Sequence, residues 1–385
     1  MSSPDETMAG TCRAVVCHIT VVHAPFDLRI FQKECLTLVE AGYEVHLIAC
    51  HDRDEVVQGV HIHALPQPSG RLVRVLFWPW RAVLKVLSLR PRPAICHFHN
   101  LEFLPAGAVL RLLGFTVIYD VHENMVGHIL QKDYLPLWLR RAAALAYRLT
   151  EPVLTWRMAS VHVLDNIAAR YPQPRVVVRN LPQLAPLRPR PRRNSDRLRL
   201  IYAGSISEDR GILTMVEAAA ELVRRGADVE LRLGGLDWEP GLTQRIRDAA
   251  ARACLGDRFS MFGPVPYDQV QEEIAAADIG LSLIHPRPNY LNSLPVKVLD
   301  YMQLAIPVVV SDFECLREYV AGAGTGLQVD PLDVNAIADA IERLARDPTL
   351  RHEMGRRGRE AVEHRYNWGV EKARLLDFYE RLLAL

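Results

Sequence analysis

Strand-length apolar runs alternate with stretches of helical spacing along most of the chain. The runs Ala14–Val22, Glu44–Ala49, Val60–Leu65, Ala94–His99 and Thr116–Val121 are short and dominated by Val, Ile, Leu and Ala. Between them, Arg29–Ala41 and Pro105–Leu113 repeat apolar positions every three or four residues, as one buried helix face requires. Repeated strand–helix–strand order predicts an α/β protein with a parallel sheet covered by helices on both faces. A second series starts at Leu198–Ala203 and continues through a helix over Gly211–Arg225 and strands at Asp228–Gly234, Phe259–Phe262, Ile279–Ser282 and Pro307–Ser311. Two Rossmann-like halves are therefore expected.

Between the two series, Pro182–Arg199 contains P-L-R-P-R-P-R-R-N-S-D-R, an extended, polar composition poor in core residues, and is read as a solvated linker. The expected division is a first domain over 1–183, a second over 200–365, and a C-terminal helix over 366–385. That helix carries Ala373, Leu376, Phe378, Tyr379 and Leu382 on one face and is expected to cross back onto the first domain.

The chain has 385 residues, 49% hydrophobic and 24% charged, enough to fill two ordinary cores. A net charge of +1 gives no reason to expect nucleic acid as a partner. The seven cysteines are odd in number and scattered, many in apolar runs, so they read as reduced core residues and not as disulfides or metal ligands. The opening M-S-S-P-D-E-T-M-A-G has acids and no apolar core of a signal peptide, and no run of about 20 uninterrupted apolar residues is present. A cytoplasmic protein is expected. Arg71–Arg92 interleaves cations with Phe77, Trp78, Trp80 and leucines, which suits contact with the inner face of an anionic membrane; Arg140, Arg141 and Arg148 fit the same role.

The chemistry concentrates at Asn292–Asp312, N-S-L-P-V-K-V-L-D-Y-M-Q-L-A-I-P-V-V-V-S-D. Asn292 or Ser293 can cap a helix, Pro295 suits its first turn, and the run ending at Val310 reads as a strand buried on both faces. The open N–H groups at such a helix start suit a diphosphate. Asp300 could accept hydrogen bonds from the two hydroxyls of a ribose.

With H-A-P-F-D-L-R-I-F-Q-K-E followed by A-G-Y-E-V, then I-Y-D-V-H-E-N at 118–124, Y-A-G-S-I-S-E-D-R-G-I at 202–212, and the 292–312 element, the chain resembles the retaining glycosyltransferases of family 4. The resemblance implies the GT-B fold: two Rossmann-like domains facing a central cleft. It also implies transfer of a sugar from a nucleoside diphosphate sugar, with a UDP-linked donor expected, to an acceptor glycan, lipid-linked sugar or small molecule, with no cofactor and no metal. The family's pair of glutamates around the donor falls on Asn292 and Asp300; Asp300 keeps the charge and Asn292 does not. The family's phosphate element falls on Gly204, Ser205, Ile206, Arg210 and Gly211, with Arg210 in place of a lysine and Ser205 in place of an arginine. Ser293, Leu294, Pro295, Val296 and Lys297 complete the implied donor site. His122, just past the run Thr116–Val121, takes the place of a histidine near the reacting sugar, and His122, Arg210 and Lys297 are the implied catalytic residues. Asp27 and Arg29 are assigned to the acceptor side, with an Arg29–Glu34 surface pair as the alternative.

Asp52-Arg53-Asp54 has the D-x-D form used elsewhere to hold a divalent ion on a nucleotide, but its setting in H-D-R-D-E reads as a charged solvated loop. The two lost charges, at Asn292 and Ser205, keep open a weakly active or inactive scaffold for polysaccharide assembly. A sugar-nucleotide 2-epimerase on the same plan is a further alternative.

Overall fold

The computed structural model describes residues 13–122, 125–130, 135–188, 196–237, 239–288 and 290–384. The opening M-S-S-P-D-E-T-M-A-G, Glu123 and Asn124 of the I-Y-D-V-H-E-N motif, and 189–195 of the expected linker lie outside them. The chain forms two compact units, residues 1–180 with 368–385, and residues 181–367.

The first unit is built on eight strands: β1 (Val15–Ile19), β2 (Glu44–Cys50), β3 (Glu55–Val57), β4 (Val60–Leu65), β5 (Ile95–Phe98), β6 (Thr116–Val121), β7 (Ala159–His162) and β8 (Arg175–Val177). Their order across the sheet is β3-β4-β2-β1-β5-β6-β7-β8, parallel throughout except for the β3–β4 hairpin. β1 and β5 are buried along their whole length, so they read as apolar runs and not as alternating ones. The predicted helix over 29–41 is a wide π-helical turn, Ile30–Cys35, running into a short α-helix, Leu36–Glu40. The final helix, Trp368–Leu383, belongs to this unit: Trp368, Leu375, Phe378, Tyr379 and Leu382 are buried with Ile30, Phe31 and Val45, and Trp368 Nε1 donates to Thr37 Oγ1 at 2.9 Å.

The second unit has six parallel strands, β9 (Leu198–Ala203), β10 (Val229–Gly234), β11 (Phe259–Phe262), β12 (Ile279–Ser282), β13 (Val308–Ser311) and β14 (Gly326–Val329), in the order β11-β10-β9-β12-β13-β14. β9 has β10 on one side and β12 on the other, so the connections wind in opposite directions from it. Such a switch point opens a crevice beyond the carboxyl ends of the strands, where doubly wound sheets bind ligands.

The stretch read as a solvated linker behaves differently over its described part. Leu181 is buried in the core of the second unit, Ala185 N donates to Gln303 Oε1 at 3.3 Å, and Arg188 Nη2 reaches Asp268 Oδ1 at 2.7 Å. Proline-rich sequence has an extended backbone whose groups are free to bond to neighbours, and here a folded surface takes them.

Candidate functional site

The loop after β9 and the segment after β12 flank the switch point of the second sheet. Gly204 ends β9 with φ +149°, and a Cβ there would lie 2.8 Å from Lys297 Cε and 2.9 Å from its Nζ. Glycine is what lets the lysine lie across the loop. Gly211, at φ +72°, opens the helix Ile212–Arg224, and a Cβ there would come within 2.0 Å of the Leu283 carbonyl oxygen. The loop is thus pressed against the chain leaving β12.

Lys297 is the second residue of the helix Val296–Gln303, half-buried, and donates from Nζ to Tyr202 Oη at 2.7 Å, with the ammonium 4.0 Å from the centre of that ring. Tyr202 in turn donates to the Ser205 carbonyl at 2.5 Å. Arg210 ends a short 3-10 turn, Glu208–Arg210, and its guanidinium lies 4.7 Å from the centre of the Tyr290 ring. Aromatic faces attract cations and hold them without neutralising them. Burial, then repulsion from Arg210, lowers the pKa of Lys297 well below the ordinary lysine value, against the opposing pull of Asp300. Two cations that raise each other's energy, beside a helix start whose first N–H groups have no partner within the helix, form a site that gains from an anion.

The helix starts later than the sequence suggests. Pro295 is its N-cap, no side chain caps it, and Asn292 is an exposed residue of the preceding turn. Ser293 Oγ turns back to the Tyr290 carbonyl at 3.4 Å instead of capping. The physical reason is Pro295 itself: with φ −69° and ψ +113° it holds the entering chain extended, so 292–294 cannot join the helix. Asn292 therefore does not share a helix face with Asp300. Leu294 and Val296 are half-buried and Pro295 is buried. Asp300 lies on the helix, half-buried, and accepts from Tyr267 Oη at 2.9 Å. Ser205 is exposed in the loop.

In the first unit the predicted residues take other roles. Arg29 is 4% exposed. Its Nε and Nη2 lie 3.1 and 3.2 Å from the two oxygens of Asp120, Nη1 donates to the Val178 carbonyl at 3.1 Å, and Nε lies 3.0 Å from Glu34 Oε1. The assignment of Arg29 to an acceptor, and the alternative of a surface pair with Glu34, both give way to a buried ion-pair network. A guanidinium this enclosed persists because all its edges are engaged. Asp27 Oδ1 accepts from the backbone N–H groups of Arg29 and Ile30 at 2.8 and 2.9 Å, so it caps the turn that carries Arg29. His122 stands at the C-terminal end of β6 with its Nε2 2.7 Å from Asp120 Oδ2 and its side chain 23% exposed. Burial works to raise the Asp120 pKa, but Arg29, His122 and His99 outweigh it and hold the carboxyl well below its ordinary value. The D-x-D loop serves the fold: Asp54 accepts from Ala64 N at 2.7 Å and from Lys85 Nζ at 3.0 Å.

The structure also names residues that motif reading passed over. Tyr202 and Tyr290 support the two cations, Tyr267 holds Asp300, and Asp120 orients His122. Of these, Tyr202 and Asp120 were within the quoted motifs, two residues from Gly204 and His122 respectively.

Comparison with known proteins follows the same division. Residues 185–361 match the family model described as glycosyl transferases group 1. An alpha-D-kanosaminyltransferase of Streptomyces kanamyceticus is 28% identical over 188 residues, 49% of this chain and 46% of that one. A D-inositol 3-phosphate glycosyltransferase of Pseudarthrobacter chlorophenolicus is 31% identical over 158 residues, 41% of this chain and 36% of that one. The matches thus span less than half the length of these relatives. Among solved structures, a sucrose-phosphate synthase from Thermosynechococcus elongatus aligns with TM-score 0.75 at 19% identity over 97% of this chain and 100% of its own. Anabaena HepE in complex with UDP-glucose aligns with TM-score 0.71 at 13% identity over 97% and 100%. The fold of the chain is GT-B, and residues 185–361, a little under half of its length, are similar to the glycosyl transferases group 1 family.

Proposed function

We propose that the chain is a retaining glycosyltransferase of family 4 that moves a sugar from a UDP-linked donor to an acceptor hydroxyl. The observation that carries this reading is the pair Lys297 and Arg210, held on tyrosine faces beside the start of the helix Val296–Gln303. A diphosphate takes Lys297 Nζ from Tyr202 and receives bidentate contacts from Arg210. Asp300 turns from Tyr267 to the ribose hydroxyls. Ser205, Gly204 and 292–296 line the remaining wall, with the amide of Asn292 toward the sugar. His122 is assigned to the sugar at the reacting end. The relatives' names, two transferases of sugar groups, support the activity, and the UDP-glucose in the HepE complex supports the donor class.

In the step itself the acceptor oxygen attacks the anomeric carbon on the face that the phosphate leaves. The bond from that carbon to the phosphate oxygen breaks, and the departing oxygen takes the acceptor proton. No protein nucleophile, cofactor or metal enters. Lys297, Arg210 and the helix start stabilise the charge that grows on the leaving diphosphate, which is where preorganised dipoles act most strongly.

The acceptor is assigned to the membrane surface. Among the described residues no helix is long and apolar enough to cross a membrane. In the first unit, however, the helices Arg71–Ser88 and Leu137–Leu154 both pack on the helix Leu104–Leu112 and leave Leu72 (78% exposed), Leu84 (68%) and Trp138 (71%) in solvent. Arg71, Arg74, Arg81, Lys85, Arg140, Arg141 and Arg148 are interspersed with them. Apolar anchors among cations bind anionic lipid, and a lipid-linked sugar is the acceptor such a surface meets.

The test is product analysis of UDP-sugars incubated with lipid-linked acceptors. An α-linked product from an α-linked donor, with UDP released, is the expected result. Free UDP with an epimerised sugar points to a 2-epimerase, and an unchanged donor across all sugars points to a non-catalytic scaffold; either overturns the reading.

A further inference from the structure

In the first unit, β1 and β5 lie side by side with His18 in register with His97. Because strand side chains alternate, His97 and His99 share a face while Phe98 takes the other. The π-helical turn brings Glu34 over that face. All four residues are buried, and none belongs to the donor site.

The geometry points to a divalent-metal site of the zinc class in this interior, held by His18 Nδ1, His99 Nε2 and Glu34 Oε2, with His97 as the adjacent fourth ligand. The atoms already converge. His18 Nδ1 and His99 Nε2 are 3.0 Å apart, and Glu34 Oε2 lies 3.9, 3.8 and 3.9 Å from His18 Nδ1, His97 Nδ1 and His99 Nε2. Zinc ligands at about 2.0–2.1 Å in a tetrahedron stand roughly 3.3 Å from one another, inside the span found here.

The tautomers favour the same centre. His99 Nδ1 lies 3.0 Å from Asp120 Oδ2, so that nitrogen carries the proton and Nε2 presents a lone pair. His18 Nε2 lies 3.1 Å from Tyr379 Oη; donating there leaves its Nδ1 lone pair aimed at the same point. Two lone pairs 3.0 Å apart repel unless a cation or a proton stands between them. The imidazole N–H to carboxylate bond is the outer contact that metal-bound histidines make.

A second, independent observation is Glu34. Its side chain is fully buried and, among the described residues, neither carboxylate oxygen accepts a hydrogen bond from a donor, although Arg29 Nε is 3.0 Å from Oε1 and the Asp120 carboxyl lies against it. A buried carboxylate left so is costly, and a metal ion on Oε2 removes the deficit. His97 Nε2 is likewise buried with no hydrogen-bond partner among the described residues, while its Nδ1 is 2.8 Å from Tyr379 Oη and becomes a ligand by giving up that bond. His99, Asp120 and His122 form another converging group nearer the surface. There Arg29 already grips both oxygens of Asp120, so the deeper set is the better one. A site this enclosed has no position open to substrate. Its role is to tie β1, β5 and the Glu34 turn together and, through His99 and Asp120, to fix His122.

The test is cobalt binding by the full chain after chelation and buffer exchange, read by visible d–d absorption, with zinc content of the untreated protein measured in parallel. The expected result is about one metal per chain and tetrahedral cobalt bands, lost in Glu34→Gln and His99→Gln and kept in His122→Ala. Wild-type protein that carries no stoichiometric metal and gives no bands overturns the proposal whether or not the variants fold. Bands lost in His122→Ala but kept in Glu34→Gln overturn it in favour of the outer group.

Discussion

The two units place their polar groups differently around similar parallel sheets. In the second, Lys297 and Arg210 stand outside the sheet on tyrosine faces, open to an incoming anion. In the first, eleven of the fourteen histidines are present, and His18 and His97 sit on strands inside the core beside Glu34, Asp120 and Arg29. Cations left half-exposed and mutually repelling are set to bind. Charges enclosed and paired are set to hold shape, and they make the unit that carries them sensitive to pH.

Removing the binding cations is the sharpest way to break that contrast. Hydrogen bonds to charged groups contribute about 1.5–3 kcal/mol each, which corresponds to roughly 10–150-fold. Lys297→Ala should weaken UDP affinity and turnover within that range, and Arg210→Ala should lower turnover at least about tenfold, both with unchanged melting temperature. Steady-state kinetics and calorimetric titration check this, and wild-type values in either variant remove that residue from the mechanism.

Acid should separate the units. Burial, the largest cause in each case, holds His63 and His162 down to about 4. An unfolded histidine titrates near about 6.5, so between about 4 and 6.5 the unfolded chain binds more protons. The stabilising effect of these neutral rings is complete above that window and is lost as pH falls through it. Hydrogen exchange at pH 5 and pH 7, corrected for intrinsic rates, should show protection falling in β4 and β7 before β9, β12 and β13. Equal losses in both sheets would contradict the contrast.

Lys297 gives a smaller, opposite dependence. Because burial and Arg210 depress its pKa, the ammonium form that binds diphosphate is lost earlier than for an ordinary lysine. UDP affinity should fall with rising pH, beginning below the usual lysine range, and Lys297→Arg should flatten the profile. The smallest effect is expected on the rim: Leu72→Glu with Trp138→Glu should reduce sedimentation with anionic vesicles while leaving UDP binding unchanged. Retained sedimentation would place the lipid contact elsewhere.

Much of this architecture is written in local pattern. β4, β6, β9, β11 and β12 have the bounds that their sequence runs suggest, because the apolar residues of each are gathered into one short stretch between polar or turn-forming neighbours. The short strands β3, β7, β8 and β14 carry too few such residues to stand out. Lys297, Arg210 and Asp300 were legible because the site's residues lie within a few positions of a helix start or a glycine turn. The network around Glu34 was not. Histidines 18, 97 and 99 and Asp120 meet only once β1 pairs with β5 and β5 with β6, and nothing local announces such long-range contacts. Arg29 was misplaced for the same reason, since its carboxylate partner is 91 residues away. Pro295 as the cap depends on the backbone entering the helix, which composition does not specify.

The most direct test of the central claim is a thermal-shift panel of UDP, GDP, ADP, CMP and their sugars against wild-type, Lys297→Ala and Arg210→Ala protein. A ligand at 100 times its dissociation constant stabilises by about 2.7 kcal/mol. The account predicts a clear rise with UDP or a UDP-sugar that is reduced in both variants. No rise with any nucleotide at saturating concentration, or a rise that both variants keep in full, would contradict it.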